Sequence, residues 1–169
     1  RRTHAVHYDT HAYATAVLGL SDPEGFDGGL YLQPGPANAE RIFPLIEPGD
    51  LLVHSFDLQH GVHVWGGERY SLIFWFKDSL RAVHEQTTPW YDELAADGDA
   101  HAMYQVAQTC IQSNPQKAMP LYERSAAGGH WLAQMNLGLL LQRVDRRRSM
   151  ELLHVAAERG FAQAQRHLA

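Results

Sequence analysis

The 169 residues suffice for one ordinary domain or two small ones, and 45% hydrophobic with 20% charged side chains is the composition of a folded chain rather than a disordered one. A formal net charge of −5 leaves no basic surplus for a phosphate backbone, and no run approaches the roughly 18 apolar residues of a membrane-spanning helix, so neither nucleic acid nor a membrane is an expected partner. Cys110 is the only cysteine, which excludes an internal disulfide and a cysteine-rich zinc site.

From Arg2 to Lys77 the chain is a series of short β-rich runs, the pattern of an all-β sandwich or barrel. Strands are expected at Thr3–Tyr8, Tyr13–Leu20, Gly29–Gln33, Glu40–Ile46, Leu51–Ser55, His60–Trp65 and Arg69–Lys77. Turn residues separate them, at Ser21-Asp22-Pro23-Glu24-Gly25, Pro34-Gly35-Pro36, Pro48-Gly49-Asp50 and Gly66-Gly67. Pro44 interrupts the fourth run and marks an edge position or a bulge.

After Asp78 the composition shifts to Ala, Leu, Gln and Arg at helical spacing, so residues 1–78 form one expected domain, 79–87 a linker and 88–169 a second domain. The second half repeats every 31 residues: Tyr91 to Gly98, Tyr122 to Gly129 and Leu153 to Gly160 align, bringing Ala102, Ala133 and Ala164 into register. Each closing glycine suits the left-handed residue that ends a helix, while Thr88, Asn114 and Asp145 supply capping side chains, two of them before a proline. Six short helices follow, near 88–97, 99–111, 115–128, 130–142, 145–158 and 161–168, stacked as antiparallel pairs. Lys117-Ala118, Ala126-Ala127, Gly129, Ala133 and Leu137-Gly138 give this half a resemblance to the Sel-like repeat, a relative of the tetratricopeptide repeat. That resemblance implies an α-solenoid whose repeats bind a protein partner.

Histidine is concentrated at the other end, with six of the eleven (His4, His7, His11, His54, His60 and His63) in the first 63 positions. In an extended chain His7 and Asp9 point to the same side, so an imidazole and a carboxylate converge on one spot, a spacing that can hold a metal. Downstream come His60-Gly61-Val62-His63 and then Arg69-Tyr70-Ser71 before an apolar run. Arg69 and Ser71 share one strand face with Ile73 and Trp75, which point inward, while Tyr70, Leu72, Phe74 and Phe76 face the other way. His54 reads as an ordinary strand residue, and His84, His101, His130, His154 and His167 as residues of solvated helix faces.

The joint order of His7-x-Asp9, Phe26-Asp27-Gly28-Gly29, Pro48-Gly49-Asp50, His60 and Val64-x-x-Gly67-x-Arg69-x-Ser71 resembles the iron and 2-oxoglutarate dependent oxygenases, especially prolyl 4-hydroxylase-like domains. The resemblance implies an α+β protein, a double-stranded β-helix (jelly roll) followed by the helical repeats. It implies that His7, Asp9 and His60 hold Fe(II), that Arg69 and Ser71 bind the co-substrate 2-oxoglutarate, and that dioxygen and possible ascorbate complete the requirements of a hydroxylase. The expected substrate is a protein or peptide. His63 is the rival of His60, which heads the more family-like stretch, and a His4, His7 and His11 cluster of the zinc or cupin kind is a further arrangement. The alternative function is a non-catalytic adaptor built on a degenerate barrel. The first residue is Arg rather than Met, which suggests a fragment; the compartment stays open, and the single cysteine is compatible with the cytoplasm.

Overall fold

The structure, a computed structural model, describes residues 2–34 and 40–168. It is α+β, with six strands in two antiparallel sheets and seven α-helices among the described residues, and it divides into two compact units, Arg1–Thr88 and Pro89–Ala169.

The first unit contains β1 (Thr3–His7), β2 (Ala14–Gly19), β3 (Phe26–Leu32), β4 (Leu51–Ser55), β5 (His60–Gly67) and β6 (Ser71–Phe76). One sheet has the order β1-β5-β3 and the other β4-β2-β6. Alternating apolar side chains from both close a small core, with Val17, Leu30 and Ile46 buried and Leu52 and Val62 packed against them. Around the sites of interest the strands differ from expectation in two places. Glu40–Ile46 is no strand: Ile42 alone bridges to Leu32, through bonds of 2.8 and 2.9 Å, and Pro44, without an N–H, stops the ladder two residues later. The last strand begins at Ser71, so Arg69 stands in the connection after Gly67, whose φ of +70° turns the chain out of β5. The expected turn at Gly35-Pro36 lies outside the described residues. The segment expected as a linker carries helix α1 (Leu80–Glu85), begun by the Ser79 side chain accepting the Ala82 N–H at 3.2 Å.

In the second unit α2 (Trp90–Asp97), α3 (Ala100–Cys110), α4 (Pro115–Ala127), α5 (Trp131–Leu141), α6 (Arg146–Glu158) and α7 (Ala162–Leu168) each pack on the next. Gly98, Gly129 and Gly160 have φ of +97°, +86° and +93°, the left-handed stops that the repeat requires. Asn114 and Asp145 cap α4 and α6 by accepting the N–H groups of Lys117 and Arg148, both at 3.0 Å. Thr88 does not cap α2; Pro89 occupies that position with no side-chain hydrogen bond. Ala102, Ala133 and Ala164 are fully buried, and the layer between them is filled by Tyr122, Leu137 and Leu153. Two of the five histidines placed on solvated faces are instead buried or half-buried. His101 is buried, and the His130 ring caps α5 by accepting the Ala133 N–H at 3.3 Å; His84, His154 and His167 are exposed.

Candidate metal centre

Register builds this site. In the β1–β5 pairing His7 lies opposite His60, and Asp9 follows where the chain leaves β1. One ligand atom each from His7, Asp9 and His60 falls within 4.8 Å of the others. His7 Nε2 is 3.4 Å from Asp9 Oδ1 and His60 Nε2 is 3.5 Å from Asp9 Oδ2. Gly61, beside His60, allows the close approach of the strands: a Cβ there would sit 2.8 Å from the His4 carbonyl oxygen and closer still to the Tyr31 hydroxyl.

The hydrogen bonds on the far side of each ring decide what the near side offers. His7 Nδ1 donates to the Ala5 carbonyl at 2.9 Å and His60 Nδ1 to the Leu58 carbonyl at 3.2 Å. In the neutral rings both lone pairs therefore sit on Nε2, and both face the same carboxylate. Two lone pairs against an anion repel, and either a proton on His7 or a cation between the three groups relieves this. Burial by itself raises the Asp9 carboxyl, but hydrogen bonds from His7, Thr15 and Trp75 outweigh it and hold Asp9 well below the usual carboxylate range. The bond to Asp9 raises His7 above the ordinary imidazole value. Burial pushes His60 down to about 4, so at neutral pH it is uncharged and its approach to Asp9 is not an ion pair.

Asp9 is fixed from the opposite sheet. Thr15 Oγ1 donates to Asp9 Oδ2 at 2.6 Å from β2, and Trp75 Nε1 donates to the same oxygen at 3.2 Å from β6. The three groups open onto a cavity of about 440 Å³ between the inner faces of the two sheets, which Arg69, Ser71, Ile73 and Trp75 also line. This is the side that strand alternation gives Ser71, Ile73 and Trp75. Arg69 Nη1 donates to Ser71 Oγ at 3.2 Å. Its Nη2 is buried and has no hydrogen-bond partner among the described residues, although burial leaves so basic a group charged.

The remaining N-terminal histidines stand outside the group. His63 is one residue out of phase with the cavity-lining His60, Val62 and Val64, and its ring packs on Trp65 at 5.3 Å. His11 packs on Trp75 at 5.1 Å, and His4 lines the cavity with its ring 4.3 Å from that of His7. Sequence reasoning gave no role to Thr15 or to the indole N–H of Trp75, and took buried His54 for an ordinary strand residue. Their links to Asp9 and His60 cross from one sheet to the other, and no local spacing signals them.

No protein-family model matches the chain. It is similar to an uncharacterized protein, y4oC, of Sinorhizobium fredii (strain NBRC 101917 / NGR234), with 34% identity over 79 residues. The matched stretch is 47% of this chain and 34% of that protein, so the match spans about a third of the relative's length.

Proposed function

We propose that this chain belongs to an iron(II) and 2-oxoglutarate dependent dioxygenase that hydroxylates a protein or peptide side chain. In this reading Arg1–Thr88 is a double-stranded β-helix, and Pro89–Ala169 is a solenoid of Sel-like repeats that binds a protein partner. The observation that carries the proposal is the pairing of two features in one cavity. Two imidazole Nε2 atoms meet one ionised carboxylate, and the same cavity holds a buried guanidinium nitrogen that lacks an acceptor among the described residues.

The residues fit the group. Two histidines and one carboxylate are the donor set of the ferrous facial triad, which leaves coordination positions open for co-substrate and dioxygen. Bound together, iron, 2-oxoglutarate and dioxygen supply an oxidant that hydroxylates the substrate and leave succinate and carbon dioxide. The protein's part is to orient and to anchor. Thr15 and Trp75 keep Asp9 ionised and in place, and the carbonyls of Ala5 and Leu58 fix both imidazole tautomers. Arg69 offers its Nη2 to the distal carboxylate of 2-oxoglutarate in the planar geometry a carboxylate accepts. Ser71 Oγ accepts from Arg69 Nη1, so its own O–H is available to the same carboxylate.

The test is calorimetric titration of 2-oxoglutarate into anaerobic, iron-loaded protein. Arg69→Ala removes a charge-assisted partner and is expected to weaken 2-oxoglutarate by about a hundredfold, with ferrous affinity little changed. Ser71→Ala is expected to cost about 1 kcal/mol. Unchanged 2-oxoglutarate affinity in Arg69→Ala, or no binding by the unmodified protein, would overturn the dioxygenase reading.

A further inference from the structure

We infer that His54 is a positioning residue of the metal centre, acting on His60 from behind; the inference rests on the metal reading above. His54 lies on β4 directly opposite Thr15 of β2 in the strand register. One cross-strand pair of the β4-β2-β6 sheet therefore reaches both buried ligands, Thr15 bonding Asp9 and His54 packing on His60. The His54 and His60 ring centroids are 4.2 Å apart at 50°, so His60 is held between His7 and His54. His54 belongs neither to the group of close ligand atoms nor to the residues that line the cavity, and it reaches the centre only through His60.

Its protonation geometry shows why a histidine stands there. His54 Nδ1 donates to the Ser55 carbonyl at 2.9 Å, which leaves the lone pair on Nε2. That nitrogen is buried and has no hydrogen-bond partner among the described residues. A phenyl ring would fill the same space without an unpaired acceptor, so the imidazole sacrifices stability. What it provides in return is a lone pair beside a metal-ligating ring, in surroundings where charge is poorly screened. Coordination draws electron density out of His60 and makes that ring more positive, and a neighbouring lone pair favours the change. The protein gives up folding stability to strengthen the site.

The experiment uses the whole chain with cobalt(II) as the probe, reading its visible absorption and dissociation constant alongside the thermal midpoint of the metal-free protein. His54→Phe is expected to weaken cobalt about tenfold, the scale of a lost outer partner of a metal ligand. The same variant is expected to raise the metal-free midpoint by a few degrees, because the orphaned acceptor is gone. His54→Gln, which keeps an acceptor, is expected to bind cobalt within about threefold of the unmodified protein. If the phenyl variant does not fold, the comparison passes to His54→Leu against His54→Gln, where the leucine is expected to bind about tenfold more weakly. Opposite signs for stability and affinity separate this role from plain packing. Equal cobalt affinity in the apolar and glutamine variants overturns the inference and leaves the metal centre standing. Failure of the unmodified protein to bind one cobalt per chain overturns the centre, and this inference with it.

Discussion

The helical unit should lose stability in mild acid through His130. The ring is wedged between Tyr104, with centroids 4.6 Å apart, and His101, whose Nδ1 is 3.2 Å from His130 Nε2. Because His130 Nδ1 accepts the Ala133 N–H, its proton sits on Nε2 and is donated to His101. A second proton on Nδ1 would break the cap and place a positive charge at the start of α5, where the helix dipole opposes it. Burial, with electrostatic repulsion from His101 acting the same way, pushes His130 down to about 3. An unfolded histidine titrates near 6.5, so between pH 6.5 and 3 the unfolded chain binds more protons than the folded one, and stability falls as pH falls. The contribution is complete above pH 6.5; integrating the proton difference, about 2 kcal/mol is lost by pH 5 and about 3 kcal/mol by pH 4. The assay is urea unfolding followed by far-ultraviolet circular dichroism between pH 8 and 4.5, comparing the unmodified protein with His130→Asn. Asparagine keeps an acceptor for the cap and does not titrate, so the variant should be less stable at pH 8 but flatter with pH. Comparing the two curves removes the parallel contribution of His60. The same pH slope in both proteins would refute the reasoning.

Two further changes test the β unit. Asp9→Ala removes the one anionic ligand and leaves the buried Thr15 hydroxyl and the Trp75 indole N–H without their shared acceptor, so ferrous affinity measured by titration should fall by more than about a hundredfold and the thermal midpoint should drop, while His63→Ala should change affinity little. Gly61→Ala should force β1 and β5 apart at the His7–His60 pair, because the added carbon meets a backbone carbonyl and a buried tyrosine that cannot both move. Its expected cost is about 2 kcal/mol in denaturant unfolding together with weakened metal binding, and a fully stable variant with unchanged binding would count against the register as the source of the site.

What the sequence determined alone is what depends on neighbours along the chain. A left-handed stop needs glycine, a first turn needs a short polar acceptor, and a strand alternates its faces. Gly98, Gly129 and Gly160, Asn114 and Asp145, and the shared face of Ser71, Ile73 and Trp75 were legible for those reasons. The same reasoning failed at Glu40–Ile46, where strand propensity found only the single Leu32 bridge, and at Thr88, where Pro89 took the cap position without offering a hydrogen bond. The tertiary structure alone decided which histidines are enclosed and what touches them. His101 on α3 and His130 at the cap of α5 read as solvated in the sequence, and only the tertiary structure brings the two rings together. His60 and His63 are both plausible in the sequence, and the pairing of β5 with β1 turns one toward Asp9 and the other toward Trp65. Thr15, Trp75 and His54 come from strands that meet Asp9 and His60 only after the two sheets close on each other. Chain spacing specifies which way a side chain points; the register and stacking of sheets specify what it meets, because those contacts join different strands whether the residues are six apart, as Thr15 and Asp9 are, or 66, as Trp75 and Asp9 are.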